Sequence, residues 1–246
     1  MKPQRGFTLI EMAIVLVIIG IILAGVMKGR DIVRGAQVKQ FSQGFAQKWV
    51  TIFATYNDKT GRVLGDTYGT AANPNQGTAD GLIEHALTQR FQQPGYAATK
   101  FYFKQTLFDA GINPCTMIKS DLEDLPATGA WEVCGGYNIY ERSVAGEFAG
   151  NQRVTLAPDH AEINGAIRNM VTLRNVPVDV AKGLDTLIDG TANGAIGSCL
   201  YCGDQAVAGS DSPFIGNGAQ TAVDWPSTTD GSGNGLVVTV AIVLDY

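Results

Sequence analysis

Apolar residues fill the chain from Phe7 to Met27 almost without a break, 21 residues interrupted only by Thr8, Glu11 and small glycines. A helix of that length reaches across a hydrocarbon core. A secretory signal peptide is the rival reading, but its apolar region is shorter and ends at an A-x-A-like site, whereas the exit here reads AGVMKGRD. Beyond the run the pattern turns amphipathic. Val38, Phe41, Phe45, Trp49, Ile52, Phe53 and Tyr56 recur at steps of three and four, with Lys39, Gln40, Gln43, Gln47 and Lys48 between them. Such a stripe predicts a helix that packs one face against a domain. No proline falls between Pro3 and Pro74, and NDKTG at 57–61 supplies a stop. One helix from Phe7 to about Asn57 would be roughly 75 Å long.

The remaining pattern predicts an α+β head with an antiparallel sheet behind this long N-terminal helix. GLIEHALTQRF (81–91) has a helical period, and VPVDVAKGLDTLI opens on a proline suited to a helix start. Strand-like runs are FYFKQTLF (101–108), YNIYE (137–141), RVTLA (153–157) and LVVTVAIVLDY (236–246). The last lacks proline and is rich in β-branched residues, as a central strand requires. Residues 190–235 are rich in Gly, Ser and Asp and read as long surface loops.

Composition adds a charge asymmetry. The 246-residue chain has a formal net charge of −5. From Lys28 to Arg62, seven basic residues face two acids; beyond Arg62, nine face twenty, and no Lys or Arg follows Lys182. An acidic head argues against nucleic acid as the main partner, because phosphate binding needs a basic surface. Enzyme signatures are missing too. The two histidines, His85 in a helical stretch and His160 in a turn-like PDHAE, have no partner motif, and neither G-x-S-x-G, H-E-x-x-H nor a Walker sequence occurs. GSGNG (231–235) follows a loop rather than a strand, so it makes a poor phosphate cradle. The expectation is a protein that is not an enzyme.

The leader MKPQRG, then FTLIE, then the apolar run resemble the processing site of type IV pilins and of the pseudopilins of type II secretion. Weaker similarity to larger prepilin-like proteins continues in YNDKTGRVLGD (56–66) and VPVDVAKGLDTLIDG (176–190). The resemblance implies a leader over 1–6, a transmembrane and polymerisation helix over 7–30, an amphipathic spine over 31–57 and an extracytoplasmic head over 58–246. It implies that prepilin peptidase cuts after Gly6 and methylates the new N-terminus, Phe7. It also implies that Glu11 meets the N-terminal amine of a neighbouring subunit during assembly. An unpaired carboxylate among apolar helices is unfavourable and a neighbour's cation relieves it, so the charge selects one axial register. The plainer reading is that Glu11 merely reaches for water. Many relatives carry a proline near residue 28, where this chain has Lys28 between Gly25 and Gly29.

The implied partners are prepilin peptidase, other pilin subunits and the inner membrane. The implied location is a single-pass inner-membrane anchor, then a periplasmic or extracellular filament. The leader does not separate pilus subunit from secretion pseudopilin, and a signal-anchored binding protein that never polymerises is the alternative from another class. In an extracytoplasmic head, Cys115, Cys134, Cys199 and Cys202 are expected to form two disulfides. Three pairings are possible; 115–134 with 199–202 closes the shortest loops. No cofactor is expected, with one exception to weigh. DGSGNG places Asp230, Ser232 and Asn234 at alternate positions, with Asp224 nearby, as a calcium loop would. Some of the pseudopilins resembled hold calcium in a C-terminal loop. Against it, Ala241 stands where an EF-hand needs a bidentate Glu, and a solvated loop is the plainer reading.

Overall fold

The computed structural model describes residues 8–69, 77–84, 97–118, 136–141, 150–203, 219–227 and 236–245. The chain divides into two compact units, Met1–Val38 and Lys39–Tyr246.

The first unit is helical. Helix α1, Leu9–Phe41, carries the apolar run, and its large hydrophobic side chains from Leu9 to Val33 are exposed within the molecule. A π-helical turn, Ser42–Ala46, follows, and then α2, Gln47–Thr60. The turn explains how the aromatic stripe stays on one face. Residues four apart overshoot one α-helical turn by about 40°, so Phe41, Phe45, Trp49 and Phe53 would drift by about 120° on a regular helix. A π-turn takes up one extra residue and reduces that drift. All four rings are buried, and Phe41 stacks on Phe45 with centroids 5.8 Å apart. Ile52 and Tyr56 are buried beside them, so the stripe is core of the second unit, while Val38 is half-buried. Gly61, at φ +66°, ends α2 and donates its N–H to the Asn57 carbonyl at 2.7 Å. The expected stop stands there.

Two expected elements are corrected. Residues 101–108 are not a strand but part of helix α3, Ala97–Asp109. Phe103 and Leu107, one turn apart, are both buried, and Phe103 packs on Phe53 of α2 at 5.9 Å. The Lys59 ammonium donates to the Ala110 and Gly111 carbonyls just past α3, where helix ends leave unpaired oxygens. Residues 81–84 are not helical either: Gly81 sits at φ +84°, and side chains from elsewhere hold the backbone around it. The rest of that stretch, His85 to Phe91, lies outside the described residues. A short helix, α4, spans Pro114–Met117, with the Asn113 side chain accepting the Cys115 N–H.

One antiparallel sheet has the order β1-β2-β3-β5-β4. Its strands are β1 Gly136–Glu141, β2 Gly150–Ile163, β3 Ala166–Pro177, β4 Cys199–Leu200 and β5 Val237–Val243. The strands expected at 137–141, 153–157 and 236–246 form, and the last lies in the sheet interior between β3 and β4. Strand β3 was not expected. It pairs with β2 through the turn Asn164–Gly165, both at positive φ, the two-residue geometry that Asn-Gly favours. The expected loop over 190–235 contains β4. Helix α5, Val178–Asp189, begins after Pro177 as the sequence suggests and ends at Gly190, φ +82°. It packs against β3, β4 and β5.

Candidate functional site

At the start of α1, Thr8 and Glu11 form a reciprocal cap. The Thr8 N–H and hydroxyl donate to Glu11 Oε2 at 2.7 and 2.8 Å, and the Glu11 N–H donates back to Thr8 Oγ1 at 3.4 Å. This is the S/T-x-x-E capping box: it pairs amides that a helix N-terminus leaves without intrahelical acceptors. The T-x-x-E spacing is the sequence signal for this cap, which is additional to the charge expected of Glu11. Both cap bonds reach the same carboxylate oxygen, so a cation can meet the other while the helix start stays capped. The side chain is exposed.

From Leu9 to Met27 the helix rises roughly 28 Å, close to the thickness of a hydrocarbon core, before Lys28 introduces charge. Within this helix, Leu9–Thr60, lies a window long and apolar enough to cross a membrane, none of it buried inside the molecule. Gly6 and Phe7 lie outside the described residues.

The other candidate residues do not gather at this end. Cys115, on α4, is disulfide-bonded, and Cys134 lies outside the described residues. The expected 199–202 bridge is absent, because Cys199 and Cys202 are free thiols. The reason is local. Cys199 is fixed in strand β4 by pairing with Ile242, and the strand ends at Leu200. Tyr201, between the two thiols, is itself held on both sides, its N–H donating to the Gly194 carbonyl and its carbonyl accepting the Val223 N–H, so the segment is not free to bring Cys202 within the about 7 Å that a disulfide requires. Burial pushes the Cys202 thiol up to about 11 and raises Cys199 well above the ordinary thiol range, with Asp185 and Asp189 adding to the latter shift. Burial therefore favours the neutral thiol over the thiolate at both positions.

His160 lies on strand β2 rather than in a turn, and its Nδ1 contacts the Ile83 carbonyl. It helps pin the 80–83 segment together with Asp66, whose Oδ1 accepts the Asp80 and Gly81 N–H groups, both at 3.0 Å. Asp230, Ser232 and Asn234 lie outside the described residues, and Asp224 is exposed. Among the described residues no three His, Cys, Asp or Glu side chains group to hold a metal.

What the geometry defines is a chain with a capped, unburied apolar helix at one end and an α+β head. Residues 1–27 match the family described as the prokaryotic N-terminal methylation motif, the prepilin signature of type IV pilins and pseudopilins. That match covers the leader and the first part of α1. No curated protein and no solved structure matches the chain.

Proposed function

We propose that this chain is a structural subunit of a type IV pilus-like filament, matured by prepilin peptidase and assembled through α1. The observation that carries the reading is the methylation motif over 1–27, set on a helix whose large hydrophobic side chains from Leu9 to Val33 are exposed. Gly6 is then the last leader residue, Phe7 the methylated N-terminus, and Glu11 the charge that pairs with a neighbouring subunit's amine. The span anchors the precursor in the inner membrane with the head outside the cytoplasm. Its role is assembly rather than catalysis, and Cys115 pairs with Cys134 in the head. A pseudopilin of a type II secretion system satisfies the same signature and is the second reading within the class.

Mass spectrometry of the purified protein tests this directly. A mature chain beginning at N-methylated Phe7 is expected; retention of Met1 to Gly6 in a host that has the peptidase removes the proposal. Gly6→Leu should accumulate as uncut membrane protein.

A further inference from the structure

We propose that Asp185 and Asp189 form a proton-dependent latch that clamps the 191–203 segment, with strand β4, onto helix α5. The two acids lie one turn apart on α5 and therefore share a face. Asp185 is fully buried. Its Oδ2 accepts the Gly194 N–H at 2.9 Å and the Trp225 indole N–H at 2.7 Å. Its Oδ1, equally buried, has no hydrogen-bond partner among the described residues. Asp189 is half-buried and accepts the Ser198 N–H at 3.0 Å and the Cys199 N–H at 2.8 Å. Between them the pair holds three backbone amides of one loop.

The packing leaves little room for another arrangement. A Cβ on Gly197, φ +110°, would run into the Asp189 carboxylate. One on Gly194, φ +65°, would meet the Val223 carbonyl at 2.9 Å and the Trp225 ring at 3.0 Å. Trp225 in turn stacks on Tyr201 at 5.3 Å, which ties the far end of the loop to the same point.

A buried acceptor with no donor is unfavourable, and a second charge beside an existing carboxylate is worse. One proton on Asp185 removes both problems: Oδ1 becomes a donor and Asp189 lies within hydrogen-bonding reach. Burial raises the Asp185 pKa above the ordinary aspartate value; hydrogen bonds from Trp225 and Gly194 oppose this, and the Asp189 charge adds to it. From β4 the pair faces only the Cys199 thiol, which stays neutral. Strand β5 has no titratable side chain. Arg168 and Arg174 on β3, Asp179 and Lys182 on α5, and Asp224 beside Trp225 are not among the groups that shift Asp185. The docked loop therefore binds the proton more tightly than the released loop. Docking is strongest below the ordinary aspartate range and weakens as pH rises through the raised value.

The test uses the full chain in detergent. Infrared difference spectroscopy across a pH titration reads the carbonyl stretch of a protonated carboxylic acid. Hydrogen exchange at Gly194, Ser198 and Cys199, corrected for the intrinsic pH dependence, reads docking. The wild type should show an acid titrating above the ordinary aspartate range, with protection falling about tenfold per pH unit across the window. Asp185→Asn keeps the oxygen facing Gly194 and Trp225 and presents an N–H to Asp189. It should lose the infrared band and keep the loop protected at every pH. Asp189→Asn should lower the midpoint of the remaining acid. No raised acid in the wild type, or the same protection profile in Asp185→Asn, or an unmoved midpoint in Asp189→Asn, overturns the latch.

Discussion

Truncating Asn169 to Ala should release the 80–83 segment from the sheet. Asn169 is buried on β3; its Oδ1 accepts the Ile83 N–H at 2.9 Å and its Nδ2 donates to the Gly81 carbonyl at 2.7 Å. Ile83 is fully buried, so its amide finds no water when Asn169 goes. A buried N–H left unpaired costs about 1–3 kcal/mol. The Gly81 carbonyl belongs to an exposed residue and can turn to solvent, which limits that loss to about 0.5–1 kcal/mol. The sum is roughly 1.5–4 kcal/mol, a change of about tenfold to several hundredfold in an opening equilibrium. Urea unfolding of the full chain, followed by tryptophan fluorescence, reads the global part, since Trp49 and Trp225 are buried. Exchange at the Ile83 amide reads the local part if the segment peels away alone. Asn169→Asp supplies a signed control. It keeps the acceptor for Ile83 but turns a buried carboxylate toward the Gly81 carbonyl, which raises its pKa. The proton is then held more tightly in the folded state, so stability should recover as pH falls through that raised value. If Asn169→Ala lies within about 0.5 kcal/mol of wild type, a margin set by surface substitutions, and Ile83 exchange is unchanged, the pinning argument is wrong.

Glu11→Val should be cut and methylated normally yet join filaments poorly as the sole copy, because it removes cap and charge together; normal filament yield would refute the register argument. Glu11→Gln keeps the capping box, which accepts Gln at that position, and should assemble as poorly as Glu11→Val if charge is the cause. Thr8→Ala keeps the charge and should fray only the first helical turn, seen in amide exchange at residues 9–11. Gly197→Ala should destabilise the head by roughly 1–3 kcal/mol through left-handed backbone strain, with a further loss from displacing Asp189, and thermal unfolding measures it.

Features that depend on local period and local chemistry are legible in the amino-acid order alone. A 21-residue apolar run, a stripe at steps of three and four, a glycine stop at Gly61 and an interior β-branched strand each need few neighbours to be read. The T-x-x-E cap and the Asn-Gly turn of β2–β3 are equally local and visible in the letters, although neither is among the elements expected above. Tertiary structure decided the rest, where two local states were nearly equal. FYFKQTLF is rich in the aromatic residues that favour strands, yet its apolar Phe103 and Leu107 also repeat at four, and the contact of Phe103 with Phe53 selects the helix. GLIE has a helical period, but Asn169, Asp66 and His160, distant in sequence, hold its backbone open. Cys199 and Cys202 look like a natural local bridge until pairing with β5 fixes Cys199 in the sheet and Gly194 and Val223 hold Tyr201 between them. Asp185 and Asp189 are two ordinary helix acids in the sequence. The proton proposed on Asp185 follows only when the loop and Trp225 bury its carboxyl, because the cost of that charge is set by the surrounding dielectric and not by the spacing of the residues.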